Sequence, residues 1–312
     1  MKNNSHLLGT ISRLGLGAWA IGGPYEYGWG YVDDNRSIET IEAACDQGIN
    51  WIDTAPAYGY GHSEEVIGRA IKALSCSAMI FTKCGRVWDS SGKVSSDLRP
   101  ESIREQWQQS TSRLGVEVID LYQVHRPDTV TGTPLIKSWE TLAKLRDEGK
   151  VRAIGLSNVT LAQYQDCAAI GRVDSLQVPV NLLRPGDVAL RIAAEADGAI
   201  VLAYSPMESG LLTGKFDHAR VEGLPSDDWR KKSPKFSQEG LTKATRIVDE
   251  LARIATRTGY SVPALAVAWV LRQPGITSAI VGARFPEQIT DWLAASSIDL
   301  IKDEWIGFEF FQ

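Results

Sequence analysis

The fold is decided by residues 151–178, which read Val151-Arg-Ala-Ile-Gly-Leu156-Ser-Asn-Val-Thr-Leu161-Ala-Gln-Tyr-Gln-Asp-Cys-Ala-Ala-Ile170-Gly-Arg-Val-Asp174-Ser-Leu-Gln-Val178. The run Val151–Leu156 is short and apolar, which is typical of a buried strand. Leu161–Ile170 has helical spacing, and a second apolar run, Asp174–Val178, follows it. The stretch therefore predicts a strand, a helix and another strand, the repeating unit of α/β proteins.

The same alternation extends almost from one end of the chain to the other. Eight strand-like runs are predicted, at Arg13–Gly17, Asn50–Asp53, Ala78–Thr82, Ile119–Val124, Val151–Leu156, Asp174–Val178, Ala199–Tyr204 and Thr277–Val281. Helical patterns are predicted at Ser37–Gln47, Glu101–Leu114, Pro134–Glu148, Leu161–Ile170, Val188–Ala196, Gly240–Thr258 and Val262–Arg272. Eight strand-like runs that alternate with helical patterns fit a closed (β/α)8 TIM barrel better than an open doubly wound sheet. Since no Ser/Gly-rich or Pro-rich linker divides the sequence, we expect residues 1–312 to form a single α/β domain.

One interval between strands is unusually long. Residues 205–238, after the seventh strand, are rich in Gly, Pro, Ser and charged side chains. Loops of this length are usually functional or disordered, and in a barrel this one would lie at the C-terminal face beside the active site. Its charged run, residues 227–235, is interpreted most simply as a solvated part of this loop; the alternative is that it folds over a bound cofactor as a lid.

Composition limits the class of protein. The chain has 312 residues, a formal net charge of −5 and 44% hydrophobic residues, which are ordinary globular values. A mildly acidic chain lacks the basic face that nucleic-acid binding requires. No apolar run approaches the ~18 residues of a membrane-spanning helix, and the first ten residues do not resemble a signal peptide. We therefore expect a cytoplasmic protein that contacts neither membrane nor nucleic acid, with four reduced thiols at Cys45, Cys76, Cys84 and Cys167.

Histidine is scarce, since only His6, His62, His125 and His218 occur. Neither a His-x-His nor a Cys-x-x-Cys pair is present, so a zinc-finger or amidohydrolase type of metal site is not expected. His62 is interpreted as a solvated loop residue and His6 and His218 as surface residues.

A possible dinucleotide motif lies near the N-terminus. Gly15-Leu-Gly17-Ala-Trp-Ala20 fits the G-x-G-x-x-[GA] pattern after a strand. That motif must open a helix, but the following residues, Gly22-Gly23-Pro24-Tyr25-Glu26-Tyr27-Gly28-Trp29, cannot form one. A Rossmann-type dehydrogenase is therefore disfavoured. The aromatic residues of this loop instead suggest part of the wall of a ligand pocket.

Ionisable residues stand at or directly after the C-terminal ends of three successive predicted strands. Asp53 ends the second strand, Lys83 follows the third and His125 follows the fourth, while Tyr58 stands in the Gly-rich loop after Asp53. Because the C-terminal ends of neighbouring barrel strands meet, these four side chains are expected to converge. An ammonium held charged by a carboxylate would lower the pKa of the Tyr58 phenol towards 7 and make it a general acid.

These residues resemble the aldo-keto reductase family, and in particular its bacterial branch acting on aldehydes, sugars or inositol-type ketones. The resemblance is carried by Asp53-Thr-Ala-Pro-Ala-Tyr58-Gly with Ser63-Glu64, then Lys83 and His125. It extends over about Ser12 to Leu293 through Gly155-Leu-Ser157-Asn158, Gln177, Ala203-Tyr204-Ser205-Pro206 and Gly282-Ala283-Arg284 with Gln288.

The resemblance implies a role for each matching residue. Tyr58 would donate the proton, Lys83 would lower the pKa of Tyr58, Asp53 would anchor Lys83, and His125 would orient the substrate carbonyl. The nicotinamide cofactor would be bound by Ser157, Asn158, Gln177, Tyr204, Ser205, Pro206, Gly282, Ala283, Arg284 and Gln288. Trp19, Trp29 and Trp88 would line the substrate pocket.

The sequence also departs from the family pattern. Only Leu8-Gly9-Thr10-Ile11 precedes Ser12, so the N-terminal hairpin that covers the bottom of the barrel in this family is expected to be shortened. Trp292 and Gln288 stand where relatives commonly carry Asn and Arg for the adenine and the 2′-phosphate. Arg284 remains as the local cation, which favours NADP(H) and leaves NAD(H) possible.

The sequence therefore predicts an NAD(P)H-dependent enzyme that reduces a small aldehyde or ketone to the alcohol. Two alternatives stay open. The chain could be a cofactor-binding sensor or regulatory barrel with little turnover, or a sugar or polyol dehydrogenase that works in the oxidative direction. The substrate and the oligomeric state do not follow from the sequence.

Overall fold

The computed structural model of the chain describes residue 8 and residues 10–74 and 77–299. Eight parallel strands form a closed barrel in the order β1-β10-β9-β8-β7-β6-β3-β2, and β4 and β5 form a separate antiparallel hairpin. The strands are β1 Leu14–Gly17, β2 Trp51–Asp53, β3 Met79–Cys84, β4 Arg86–Trp88, β5 Val94–Ser96, β6 Ile119–Val124, β7 Val151–Ser157, β8 Ser175–Pro179, β9 Ile200–Tyr204 and β10 Ser278–Gly282. The predicted (β/α)8 barrel is confirmed, and with it the rejection of a doubly wound sheet.

Helices surround the barrel. They are α1 Asp34–Asp46, α2 His62–Ala73, α3 Pro100–Leu114, α4 Leu135–Asp147, α5 Leu161–Ile170, α6 Val188–Ala196, α7 His218–Glu222, α8 Gln238–Thr258, α9 Val262–Leu271 and α10 Glu287–Trp292. The seven predicted helices are all present. α1 begins before Ser37 because the Asp33 side chain caps it by accepting hydrogen bonds from the backbone N–H groups of Asn35 and Arg36. None of the helices within the described ranges is both long enough and apolar enough to cross a membrane.

The lower half of the barrel is filled by apolar side chains that alternate along the strands. Trp51 stacks on Phe81, with ring centroids 5.0 Å apart. A Cβ atom at Gly15 would lie 2.3 Å from the Trp51 ring, so this position requires glycine for packing. Packing in the barrel interior therefore explains why position 15 is a glycine, so this residue of the G-x-G-x-x-A pattern does not indicate a dinucleotide-binding motif.

The expected N-terminal hairpin is not seen in the described part of the chain. Leu8 and Ile11 pack against the apolar cluster at the bottom of the barrel, and no strand precedes β1 among the residues described. Residues 1–7 and Gly9 lie outside the described residues. The chain thus covers the bottom of its barrel at least in part with two apolar side chains.

A second apolar layer lies between the strands and the helices. Trp139 is fully buried there and Trp269 is 7% exposed, as their helical spacing predicts, and Trp107 packs against the same layer. Cys84 and Cys167 are free and buried. Cys45, however, is disulfide-bonded, so the prediction of four reduced thiols is wrong at this residue; Cys76 lies outside the described residues.

The predicted long loop after the seventh barrel strand is present and ordered. Residues 205–237 contain α7 and three short 3-10 segments, at Glu208–Thr213, Trp229–Lys232 and Pro234–Phe236. They share a small apolar core with α8, in which Leu211 and Phe236 pack against Leu241 and Ala244. The loop is therefore a folded segment that lies against the C-terminal face of the barrel.

Candidate active site

Lys83 and Asp53 form a buried ion pair at the C-terminal end of the barrel. Residues two apart on a strand face the same side, so Asp53 and Lys83 stand in the barrel interior directly above Trp51 and Phe81. The Lys83 Nζ atom donates to Asp53 Oδ1 at 2.6 Å and to the Thr54 carbonyl at 2.8 Å. Lys83 is 0% and Asp53 3% exposed, so the pair is shielded from water on all sides but the cavity described below.

Two glutamines complete the hydrogen bonding of Asp53. Its Oδ2 atom accepts from Gln177 Nε2 at 2.8 Å and from Gln123 Nε2 at 3.5 Å. Burying the second carboxylate oxygen without a hydrogen bond would be unfavourable in free energy, and these two contacts remove that cost. Gln123 was missed in the sequence, although a polar residue at an interior position of the apolar run Ile119–Val124 was an available signal. Gln177 was predicted as a cofactor residue, and its amide contacts Asp53.

Tyr58 is held beside this ion pair by a tight turn. Its backbone N–H donates to the Ala55 carbonyl at 3.0 Å, and its own carbonyl accepts from Ser63 at the start of α2. Gly59 has φ +64, and a Cβ atom there would lie 1.8 Å from the Gly22 carbonyl oxygen. The turn therefore packs directly against the loop after β1 and fixes the Tyr58 side chain.

The structure brings the four predicted catalytic residues together. Lys83 Nζ lies 5.5 Å from the centroid of the Tyr58 ring. The rings of Tyr58 and His125 meet edge to face with centroids 6.0 Å apart. Asp53 joins the group through its hydrogen bond to Lys83. The expected convergence of these strand ends is what the barrel produces.

The pKa directions differ from the prediction in one respect. Burial, reinforced by the negative charge of Asp53, raises the pKa of Tyr58 well above the usual range of a phenol. Burial lowers the pKa of Lys83, and Asp53 opposes that effect. The predicted lowering of the Tyr58 pKa is therefore wrong, because desolvation of the phenolate and the negative charge of Asp53 outweigh the attraction of the positive charge of Arg126. Tyr58 is a neutral phenol at pH 7.

His125 is also uncharged at neutral pH. Burial lowers its pKa well below the usual value of a histidine, and the positive charges of Lys83, Arg126 and Arg86 lower it further. A neutral imidazole keeps one N–H donor and one acceptor nitrogen. His125 can therefore donate a hydrogen bond to an oxygen atom in the cavity without carrying a charge.

The predicted cofactor residues after β7 and β9 form one network. Asn158, with φ +57, donates from Nδ2 to the His125 carbonyl at 2.9 Å and to Ser157 Oγ at 3.0 Å. The Tyr204 hydroxyl donates to Asn158 Oδ1 at 2.7 Å. Ser157 is fully buried and stands behind Asn158. Asn158 thus links the strand that carries His125 to the one that carries Tyr204.

A single cavity of about 540 Å³ joins most of the predicted site. Its lining includes the predicted residues Trp19, Trp29, Asp53, Tyr58, His125, Asn158, Gln177, Tyr204, Ser205, Pro206, Gly282, Ala283, Arg284 and Gln288. Lys83 and Ser157 lie behind this surface. The volume lies within the range of small-molecule and cofactor sites.

Arg284 lies in the part of the cavity formed after β10. The Gln288 side chain accepts from the backbone N–H of Arg284 at 2.7 Å, so this glutamine shapes the loop. Arg284 Nη2 donates to the Tyr31 carbonyl at 2.8 Å, while its buried Nε has no hydrogen-bond partner among the described residues. A buried guanidinium N–H without a partner indicates a place for an anionic oxygen.

Aromatic side chains form the cavity wall on the side of Tyr58. Trp19 meets Trp29 edge to face with ring centroids 5.1 Å apart, and it lies 6.4 Å from the Tyr58 ring. The structure does not bring Trp88 to this wall. Trp88 lies on the β4–β5 hairpin, 5.6 Å from the Tyr60 ring, and is absent from the cavity lining. The predicted place of Trp88 in the substrate pocket is therefore corrected: Arg86 and Val94 of the same hairpin line the cavity, whereas the Trp88 ring packs against Tyr60.

The charged run 227–235 was interpreted as a solvated part of the loop, and Asp227, Lys231, Lys232 and Lys235 are indeed exposed, whereas Asp228 and Arg230 are buried. Asp228 and Arg230 form an ion pair at 2.6 Å and are 1% and 8% exposed. Trp229 stacks on Trp19 with ring centroids 5.3 Å apart, and the backbone N–H of Trp229 donates to the Gly28 carbonyl at 3.0 Å. The loop after β9 therefore covers the cavity by binding to the aromatic loop after β1.

His62 has a structural position. It begins α2, with Nδ1 3.0 Å from the Gly22 carbonyl and Nε2 3.0 Å from Asp34 Oδ1. Its side chain is one-third exposed. The interpretation of His62 as a solvated loop residue is therefore wrong, because it connects the loop after β1 to α1.

The comparisons with known proteins agree with this geometry. The model of the aldo/keto reductase family matches residues 13–308. The chain belongs to this family. An aldo-keto reductase, YhdN, of Bacillus subtilis is 41% identical over 283 residues, which cover 89% of this chain and 83% of the relative.

Two further relatives carry more specific names. An NADH-specific methylglyoxal reductase of Escherichia coli is 36% identical over 303 residues, covering 93% of this chain and 91% of that enzyme. The solved structure of a glycerol dehydrogenase from Gluconobacter oxydans matches with a TM-score of 0.84 and 38% identity, over 96% of this chain and 91% of that one. The aldo-keto reductase described here is thus an oxidoreductase of a family that uses nicotinamide cofactors.

Proposed function

We propose that this aldo-keto reductase, as one domain of residues 1–312, reduces a small aldehyde or ketone to the alcohol with NAD(P)H. The observation that carries the proposal is the group of Tyr58, Lys83, Asp53 and His125 at the end of a 540 Å³ cavity. A phenol beside a buried ammonium, with a neutral imidazole next to it, is suited to protonating an oxygen atom. The names of two relatives, a methylglyoxal reductase and a glycerol dehydrogenase, support a small carbonyl or polyol as substrate.

The residues present fit a nicotinamide dinucleotide. The cavity extends from Asp53 and Tyr58 to Arg284, whose buried Nε lacks a partner among the described residues. We assign Asn158, Gln177 and Tyr204 to the nicotinamide end, with Ser157 acting through Asn158. The phosphate end is assigned to Ser205, Pro206, Gly282, Ala283, Arg284 and Gln288. The cofactor, when bound, supplies a hydride to the carbonyl carbon.

The protein supplies the proton. Tyr58 is neutral at pH 7 and can pass its hydroxyl proton to the carbonyl oxygen, so that one O–H bond forms as the Tyr58 O–H bond breaks. The ammonium of Lys83 then faces the phenolate, and Asp53 keeps that ammonium positioned and charged. His125 donates an N–H to the same oxygen and orients the carbonyl.

We further propose a preference for NADP(H) over NAD(H). Arg284 supports it because a partly buried guanidinium can bind the 2′-phosphate that distinguishes the two cofactors. The E. coli relative is named NADH-specific, so assays need both cofactors.

The test of the reaction is the variant Tyr58→Phe. Consumption of reduced nicotinamide with small aldehydes is expected to fall by about 10²- to 10⁴-fold, because the variant lacks the proton donor but keeps the ring. Cofactor affinity, measured by quenching of tryptophan fluorescence, is expected to stay within twofold of wild type. Turnover that is unchanged in this variant would sink the mechanism.

The wild-type protein provides the second half of the test. Aldoses, inososes and simple aldehydes are assayed with both cofactors, and the matching alcohols are assayed with the oxidised cofactors. Turnover in either direction supports the proposal that the protein is an enzyme. Cofactor binding without turnover on any of these compounds would instead support the sensor alternative.

A further inference from the structure

Two arginines follow the catalytic strands and line the cavity. Arg86 begins β4, two residues after the end of β3, and Arg126 directly follows His125 at the end of β6. Both residues belong to the cavity lining that contains Tyr58 and His125. None of the roles assigned above uses either guanidinium.

Neither charge is neutralised within the described residues. Arg86 Nη1 donates to Ser96 Oγ at 3.0 Å, and no salt bridge to either arginine occurs in the ranges 10–74 and 77–299. Glu26 attracts Arg86, but its carboxylate accepts from the Val94 N–H at 2.9 Å and does not line the cavity.

The two carboxylates that line the cavity within the described residues each form an ion pair with a lysine. Asp53 pairs with Lys83 at 2.6 Å, and Asp291 pairs with Lys215 at 2.6 Å. No other acidic side chain appears in the described lining. Within the described lining, no carboxylate pairs with Arg86 or Arg126, and the charge of Glu26 acts on Arg86 from outside the lining.

The order of strands separates this pair from the proposed phosphate end. β3 and β6 are neighbours in the barrel, whereas Arg284 follows β10. Between β10 and this pair lie β1 and β2 on one side and β7, β8 and β9 on the other. Arg86 and Arg126 thus lie across the barrel from Arg284, on the side of the reacting carbonyl.

The two guanidiniums are close enough to act on each other and on the catalytic group. The positive charge of Arg126, together with burial, lowers the pKa of Arg86. Both arginines also contribute to the lowered pKa of His125. An anion bound between them would relieve this repulsion while it lies within reach of the carbonyl-orienting imidazole.

We propose that Arg86 and Arg126 form an anion-binding subsite, so that the preferred carbonyl substrate carries a carboxylate or phosphate group. A guanidinium presents a planar set of N–H donors that matches either anion. The inference rests on the proposed function, since it names the substrate class of the same site. It adds a specificity that the aromatic wall of Trp19 and Trp29 does not provide.

The experiment compares matched pairs of aldehydes. Succinic semialdehyde against butanal tests the carboxylate, and glyceraldehyde 3-phosphate against glyceraldehyde tests the phosphate. For at least one pair, kcat/KM is expected to be about tenfold or more higher for the anionic member, as one or two charge-assisted hydrogen bonds would give. The ratio is expected to fall as salt is added. The pair that shows the preference identifies the anion.

Variants locate the effect. Arg86→Gln and Arg126→Gln are each expected to lower the anionic-to-neutral ratio at least fivefold. The matched control is Lys243→Gln on α8, which removes an equal charge from a side chain that is 65% exposed and outside the cavity lining. It is expected to leave the ratio unchanged. The wild-type ratios and their salt dependence need no variant, so they test the proposal even if an arginine variant fails to fold.

The possible failures are distinguishable. Turnover of all four aldehydes with no anionic preference overturns the subsite and leaves the proposed function standing. A preference that survives in both folded arginine variants overturns the assignment to Arg86 and Arg126. No turnover of any of the four, together with none on the neutral panel above, overturns the proposed function and the subsite with it.

Discussion

The phenol of Tyr58 shows how a single residue in this site depends on its surroundings. Burial and the charge of Asp53 both disfavour its phenolate, while Lys83 faces its ring at 5.5 Å. The first two effects are the larger ones, so the proton stays on the oxygen at neutral pH. This protonation state is the one that the proposed reduction requires of Tyr58 as proton donor.

This direction of the pKa shift can be measured in the unliganded protein. Tyrosinate absorbance is recorded against pH for the wild type and for Tyr58→Phe. The two curves are expected to coincide up to about pH 10, the ordinary value of a phenol, because the phenol of Tyr58 ionises only above it. An ionisation below pH 10 that disappears in Tyr58→Phe would contradict the raised pKa.

The sequence predicts which residues lie close together in the site, but it does not predict the sign of every pKa shift or every hydrogen bond among them. Asp53, Lys83 and His125 could be placed because strand alternation and barrel closure bring interior positions together. The sign of the Tyr58 shift depends on how completely the phenol is desolvated, which only packing determines. The bond from Gln177 to Asp53 and the position of Trp88 away from the cavity likewise depend on side-chain and hairpin geometry that has no local pattern.

At the scale of elements, the loop after β9 is the segment whose behaviour matters most for function. Its Trp229 stacks on Trp19, and Arg230 lies over the Trp29 ring at 4.3 Å. These contacts connect residues about two hundred positions apart in the chain, so nothing local in the sequence indicates them. We propose that this segment is the cofactor lid.

Limited trypsin digestion tests the lid. Trp229→Ala is expected to increase cleavage within residues 205–237 by roughly tenfold, since an aromatic pair is worth about 0.5–1.5 kcal/mol beyond the burial of its area. Saturating cofactor is expected to slow cleavage of the wild type. Trp88→Ala, outside the cavity, is the control and should leave the cleavage rate of this loop unchanged. Cleavage that is insensitive to cofactor would exclude a lid.

One helix of the barrel, α2, was not predicted from the sequence. α2 begins at His62, directly after the Gly-rich turn of Tyr58, and it was not among the predicted helices. Val66, Ile67 and Ala70 are all fully buried and spaced as in a helix, so the signal was present. The strands were easier to predict, because each is a short apolar run between polar segments.

At the scale of the whole molecule, closure of the barrel makes the site one unit. β1 pairs with both β2 and β10, so Leu16 lies between Ile52 and Val281. Strand ends from all parts of the chain then contribute to one cavity. A ligand that contacts several of these strand ends stabilises the entire barrel against unfolding.

Because a bound cofactor stabilises the folded barrel, thermal unfolding measures cofactor preference independently of turnover. At 100 times its Kd, a cofactor that binds only the folded protein raises the free energy of unfolding by about 2.7 kcal/mol. At equal concentrations, NADPH is therefore expected to raise the Tm more than NADH does. In Arg284→Gln the NADPH shift should fall towards the NADH shift, because the guanidinium assigned to the 2′-phosphate is gone. Arg253→Gln, a side chain 71% exposed on α8, is the matched control and should keep the difference. Equal shifts in the wild type, or a difference that Arg284→Gln leaves intact, would contradict the proposed role of Arg284.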